Sequence, residues 1–127
     1  MSKADNPIIL IVEDDEVLLR ALYLFFHNRH YTVASASDGE TGLKMAERLK
    51  PNVILLDLLM PKMDGFEFIK RAKAETILEQ IPIVVLSNLG YEDEINKAKE
   101  LGVKDYFIKA NTDLSVLEEK IRNTYIK

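Results

Sequence analysis

Apolar residues in this chain come in two textures. In Ile8 to Val12, Val53 to Leu56 and Ile81 to Leu86 they form short unbroken runs rich in β-branched residues. An unbroken run of that length marks a strand covered on both faces, where no solvent side calls for alternating polar positions. Between the runs the apolar residues return at spacings of three and four, the mark of a helix with one buried stripe. From about Glu16 to Asn28 these are Leu18, Leu19, Leu22, Tyr23, Phe25 and Phe26, with Asp14 or Asp15 placed to cap the first turn. Tyr31 to Ala36 predicts a weaker, partly alternating strand. After a turn at Asp38-Gly39, a helix of about ten residues runs through Leu43, Ala46 and Leu49 to a stop at Pro51.

The second half repeats the scheme. Asp64-Gly65 opens a helix in which Phe66, Ile69 and Ala72 share a face and whose end falls between Ala74 and Gln80. Ile81 to Leu86 leads to Ser87, with Pro82 tolerable at the start of a strand. Glu92, Asp93 and Glu94 suit the positive end of the next helix, which Gly102 closes. Asp105 to Ile108 is a short fifth strand ending at Lys109, and Asn111 or Thr112 caps a last helix striped by Leu114, Leu117, Ile121 and Tyr125. Alternation of this kind predicts a parallel sheet with right-handed crossovers and helices on both faces. Five strands suit the flavodoxin-like doubly wound α/β order 2-1-3-4-5, a (βα)5 sandwich with its switch point between strands one and three.

Composition narrows the class without choosing a function. A chain of 127 residues with 47% hydrophobic and 30% charged residues is sized for one domain with a proper core. The absence of cysteine excludes disulfides and thiolate metal sites. A net charge of -4 gives no basic footprint for nucleic acid, so no direct nucleic-acid partner is expected. No apolar segment reaches membrane-spanning length, and Met1 to Pro7 has no signal-peptide core, so the expectation is a cytoplasmic protein without membrane insertion. The reading is one domain over residues 1–127 with no output domain in the chain, acting alone or as part of a longer regulator.

Chemistry enters where the strands stop. Four predicted strands end in an apolar run followed by a polar residue: Glu13 and Asp14, then Asp57, then Ser87, then Lys109. Parallel strands place all of these on one edge of the sheet, with Glu13, Asp14 and Asp57 meeting at the switch point. Three carboxylates at close range repel unless a cation intervenes, and oxygen ligands without His or Cys point to hydrated Mg²⁺. An ammonium and a hydroxyl beside them suit phosphoryl oxygens, whose transfer depends on positioning and charge neutralisation. Asp57, the central member, is the candidate nucleophile and an aspartyl phosphate the expected product.

These residues carry a family resemblance over essentially the whole chain. Ile9 to Asp15, Asp57 with Met60-Pro61 and Met63-Asp64-Gly65, Leu86-Ser87, and Asp105 to Lys109 resemble the receiver domain of two-component response regulators, the CheY-like family. The resemblance implies that Asp57 is the phosphoacceptor, that Glu13 and Asp14 are the acidic pair, and that Asp14, Asp57 and the Leu59 backbone carbonyl bind Mg²⁺. It makes Ser87 and Tyr106 the switch hydroxyl and aromatic, with Lys109 contacting the phosphoryl group. The implied donor is a sensor histidine kinase or histidine phosphotransfer protein docking on the first helix. The implied readout is a switched surface of helix four, strand five and helix five that recruits a protein target.

Two positions depart from the family pattern. Ala110 replaces the usual proline after the lysine, so a trans peptide is expected, because a cis bond there costs about 2.5–4 kcal/mol. Asn88 follows Ser87 where a small residue is usual. The competing readings are a Mg-dependent aspartyl-phosphate phosphohydrolase, a flavin or nucleotide binder and a phosphorylation-silent pseudo-receiver. The first lacks the Asp-x-Asp pattern after strand one, where Glu13-Asp14-Asp15 stands. The second lacks a Gly-rich phosphate loop. His27 and His30 are explained by the helix end, and Lys70, Arg71 and Lys73 as a solvated face. Phe25 and Phe26 belong to the core, and Tyr106 is by its own pattern either core or switch.

Overall fold

The computed structural model describes residues 6–126, so the reading of Met1 to Asp5 as lacking a leader lies outside the described residues. Five parallel strands, β1 (Ile8–Val12), β2 (Thr32–Ala36), β3 (Val53–Leu56), β4 (Ile83–Ser87) and β5 (Asp105–Ile108), pair in the order β2-β1-β3-β4-β5. Helices α1 (Glu16–His27), α2 (Gly39–Leu49), α3 (Gly65–Ala74), α4 (Glu92–Glu100) and α5 (Leu114–Tyr125) cover both faces. The expected order 2-1-3-4-5 is the observed one. Every residue of β3 and β4 is buried, which is why neither strand alternates.

Strand pleating divides the core in two. Leu10, Val12, Ile54, Leu56 and Val85 pack with Ala46, Phe68, Ile69 and Ala98 from α2, α3 and α4. Ile9, Ile11, Val53, Leu55 and Val84 pack with Leu22, Phe26, Leu117 and Ile121 from α1 and α5. Phe26 is fully buried as expected and Phe25 half-buried, its ring lying 3.6 Å beneath the Arg29 guanidinium.

Asp15, one of the two expected caps, caps α1, accepting from Val17 and Leu18 N–H. Other expectations shift by a residue or more. The α5 cap is Asp113, accepting from Ser115 N–H, rather than Asn111 or Thr112; the chain from Lys109 to Asn111 makes a 3-10 turn first, which carries the helix start past both residues. On α3, which ends at Ala74, the buried aromatic is Phe68 and Phe66 is half-buried under the Lys97 ammonium. Lys70 and Arg71 are exposed, but Lys73 is half-buried and donates to the Glu79 carbonyl at 3.2 Å. No cis peptide occurs among the described residues, so the bond before Ala110 is trans. No described helix is long and apolar enough to cross a membrane.

Candidate functional site

The register of the two central strands creates the site. Val12 of β1 pairs with Leu56 of β3, so the next residues, Glu13 and Asp57, leave the sheet side by side. Asp57 N–H still donates to the Val12 carbonyl at 3.0 Å, and Glu13 N–H to the Ala36 carbonyl at 3.0 Å, which fixes both backbones at the edge. The chain then turns under Gly65. A Cβ there would lie 2.5 Å from Leu58 Cα and 2.8 Å from the Asp57 carbonyl, so only glycine lets α3 start this close beneath the loop. Met60 and Met63 anchor the loop on the core.

Lys109 closes the pocket from the end of β5. Its Nζ lies 2.8 Å from Glu13 Oε1 and 3.1 Å from Asp57 Oδ2, bridging residues from two other strands. Asp57 Oδ1 accepts from Leu59 N–H at 3.1 Å, and Glu13 Oε2 accepts from Asp15 N–H at 3.1 Å. Asp57 is 4% exposed and Glu13 2% exposed. Asp14 completes the group: Glu13, Asp14 and Asp57 each offer an oxygen within 4.8 Å of the others.

Burial pushes the Glu13 carboxyl up to about 7, the Asp57 charge adds to the rise, and the bond from Lys109 works against it. Burial also disfavours the Lys109 ammonium, but its bonds to Glu13 and Asp57 outweigh that and hold it above its ordinary value. Three carboxylates face one ammonium, so the pocket keeps an excess of negative charge. An oxygen-only donor set with that excess fits a hard divalent cation.

The structure gathers Glu13, Asp14, Asp57 and Lys109 as expected, with Leu59 tied to Asp57 through its N–H. Ser87 ends β4 next to β3, fully buried, its Oγ accepting from Leu89 N–H at 3.3 Å. Tyr106 is half-buried on β5 and its hydroxyl donates to the Leu89 carbonyl. Leu89 therefore ties Ser87 to Tyr106 through its two backbone groups. No side-chain signal in the sequence marks that connection. Asn88 is exposed, and so are His27 and His30.

A doubly wound α/β sheet whose switch point carries an acidic pocket closed by a lysine defines the class of protein. The chain belongs to the response regulator receiver domain family, which its residues 9–122 match. Transcriptional regulatory protein AfsQ1 of Streptomyces coelicolor is 34% identical over 116 residues, covering 91% of this chain and 50% of that protein. Alkaline phosphatase synthesis transcriptional regulatory protein PhoP of Bacillus subtilis is 38% identical over 104 residues, covering 82% of this chain and 42% of that protein. The chain thus spans about half, or less, of the length of these curated relatives. Among solved structures, chemotaxis protein CheY4 of Vibrio cholerae superposes with a TM-score of 0.86 at 24% identity, covering 93% of this chain and 98% of that one, a likeness of fold. Receiver domains are signalling domains of two-component systems, and phosphorylation is characteristic of them.

Proposed function

We propose that Asp57 accepts a phosphoryl group from a phosphohistidine on a sensor histidine kinase or histidine phosphotransfer protein. The observation that carries this is the buried Asp57 carboxylate held between the Lys109 ammonium and Leu59 N–H, within a three-carboxylate cluster. An Asp57 oxygen bonds to phosphorus while the phosphorus–nitrogen bond breaks. The electron pair leaves on the imidazole nitrogen, which takes up a proton. Asp14, Asp57 and the Leu59 carbonyl would hold Mg²⁺, with Glu13 beside them as the second member of the acidic pair. When bound, the ion supplies charge neutralisation for the phosphoryl oxygens.

Lys109 is already poised over Asp57 Oδ2 and donates to an oxygen of the phosphoryl group once that group is bonded to the Asp57 carboxylate. Ser87 donates its hydroxyl to a second phosphoryl oxygen, which draws its Oγ away from Leu89 N–H. Tyr106, bonded to the same Leu89, is repositioned, and the surface of α4, β5 and α5 changes for a protein target. The net charge of -4 favours protein over nucleic acid as the direct partner. The domain acts as a phosphoacceptor rather than as an enzyme with its own substrate.

Incubation with Mg²⁺ and acetyl phosphate or phosphoramidate, followed by intact mass measurement, tests this reading. One labile phosphoryl adduct that Asp57→Asn loses is the expected result. Turnover of a general phosphomonoester with no adduct supports a phosphohydrolase, and neither outcome supports a pseudo-receiver that works by binding alone.

A further inference from the structure

The two edges of the sheet are built differently. β5 starts on Asp105 and is bracketed by Lys104 and Lys109, charges of the kind that keep an edge strand from pairing with another chain. β2 reads Thr-Val-Ala-Ser-Ala, without a charge, a proline or a glycine. Its backbone has an open side. Thr32 N–H donates to the Pro7 carbonyl and the Ala36 carbonyl accepts from Glu13 N–H, so in the parallel ladder Thr32, Ala34 and Ala36 turn their backbone groups to β1. Val33 and Ser35 turn theirs outward, and no described strand pairs with them there.

Beside this edge lies a groove of about 370 Å³ lined by Leu19, Tyr23 and Leu24 of α1 and by Ser35. Tyr23 is 39% and Leu24 49% exposed, so this apolar surface is left uncovered. The groove also carries one acid and one base, Glu16 and Arg20, a helical turn apart. It has no net charge to repel a like surface.

We infer that β2 pairs with β2 of a second copy of this chain, antiparallel about a two-fold axis through Ala34. The strand is its own complement. With Ala34 facing its counterpart, Val33 stands opposite the partner's Ser35 and Ser35 opposite the partner's Val33, and each such pair exchanges N–H to C=O bonds in both directions. No other register uses both outward residues of both copies within the strand, and a slip of one residue sets an outward residue against one already bonded to β1. Ala34 packs on the α2 face, while Val33 and Ser35 lie on the α1 face. A two-fold axis normal to the sheet keeps both α1 helices on one face, so the grooves adjoin across the axis and cover Tyr23 and Leu24. The helices run in opposite directions there, which brings Glu16 and Arg20 of the copies together in reverse order, acid towards base. The pairing uses neither Asp57 nor Lys109 and is independent of the phosphoacceptor reading.

Amide hydrogen exchange followed by NMR over a wide range of protein concentration tests this. As the protein is concentrated, the Val33 and Ser35 amides gain protection while ultracentrifugation shows the mass rising towards a dimer. Val33→Pro removes an outward donor without touching the β1 ladder and abolishes both changes. Leu24→Arg, at an exposed helix position, weakens them and keeps the fold. The chain has no cysteine, so Ala34→Cys supplies a single thiol that oxidised glutathione joins to its counterpart on the axis, whereas Lys70→Cys, exposed on α3, forms no such link. A monomer at every concentration overturns the inference and leaves the edge to an extended segment of another protein. A dimer whose Val33 and Ser35 amides exchange freely overturns it as well, since another face then holds the copies together.

Discussion

Two glutamates are buried among the described residues, and they are treated in opposite ways. Glu118, on α5 against the turn between α1 and β2, is 5% exposed, accepts the Tyr31 hydroxyl at 2.8 Å, and has Arg29 and Arg122 at 4.0 and 3.7 Å. Glu13, at the carboxyl edge of the sheet, is 2% exposed and shares its one ammonium with Asp57 while Asp14 stands beside both. A buried acid surrounded by donors ties elements together, whereas a buried acid among other acids stores repulsion that an incoming cation or phosphoryl group relieves.

The contrast breaks first at Glu118. Glu118→Ala leaves the Tyr31 hydroxyl buried without its acceptor and removes packed volume, so urea denaturation should show a loss of about 3 kcal/mol. Magnesium gives the second largest effect. At a hundredfold excess over its dissociation constant it should stabilise the wild type by about 2.7 kcal/mol, an increment that chelator reverses, that Glu118→Gln keeps and that Asp57→Asn loses or greatly reduces.

Much of this contrast is legible from sequence. Four apolar runs ending in polar residues imply that Glu13, Asp14, Asp57, Ser87 and Lys109 reach one edge, because parallel strands point one way and the pleat is fixed. Glu118 is not legible. In the sequence it is one of a pair, Glu118-Glu119, on a helix striped by Leu117 and Ile121, and nothing local distinguishes it from a solvated acid. Its partner Tyr31 lies 87 residues away, so only the tertiary fold reveals the bond. The same holds for Leu89, which links Ser87 to Tyr106 through backbone groups that any residue carries. The α5 cap lies later in the chain than the sequence predicts because the 3-10 turn after β5 has no composition of its own.

A smaller effect sharpens the comparison in the acidic pocket. Without divalent ions, Asp57→Asn should raise stability by about 1 kcal/mol, since removing one of three crowded charges relieves repulsion at the expense of function. The smallest expected effect is on alkaline stability. Burial first, and the carboxylates of Glu118 and Asp105 second, hold the Tyr31 and Tyr125 phenols above their ordinary value of 10.0. Their stabilising contribution is therefore complete below that pH and is lost as pH rises through the folded values. Urea midpoints measured upward from pH 9 should fall, and Tyr31→Phe should flatten the decline while costing about 1 kcal/mol at neutral pH.

Asp57, among the acids of the pocket, is the one expected to become covalently modified. Borohydride reduction after treatment with Mg²⁺ and phosphoramidate converts an aspartyl phosphate into homoserine, which peptide mass mapping locates. Homoserine at position 57 alone, dependent on the phosphodonor, is the expected result. Homoserine at position 14, or none anywhere when the protein is folded and magnesium-bound, would contradict it.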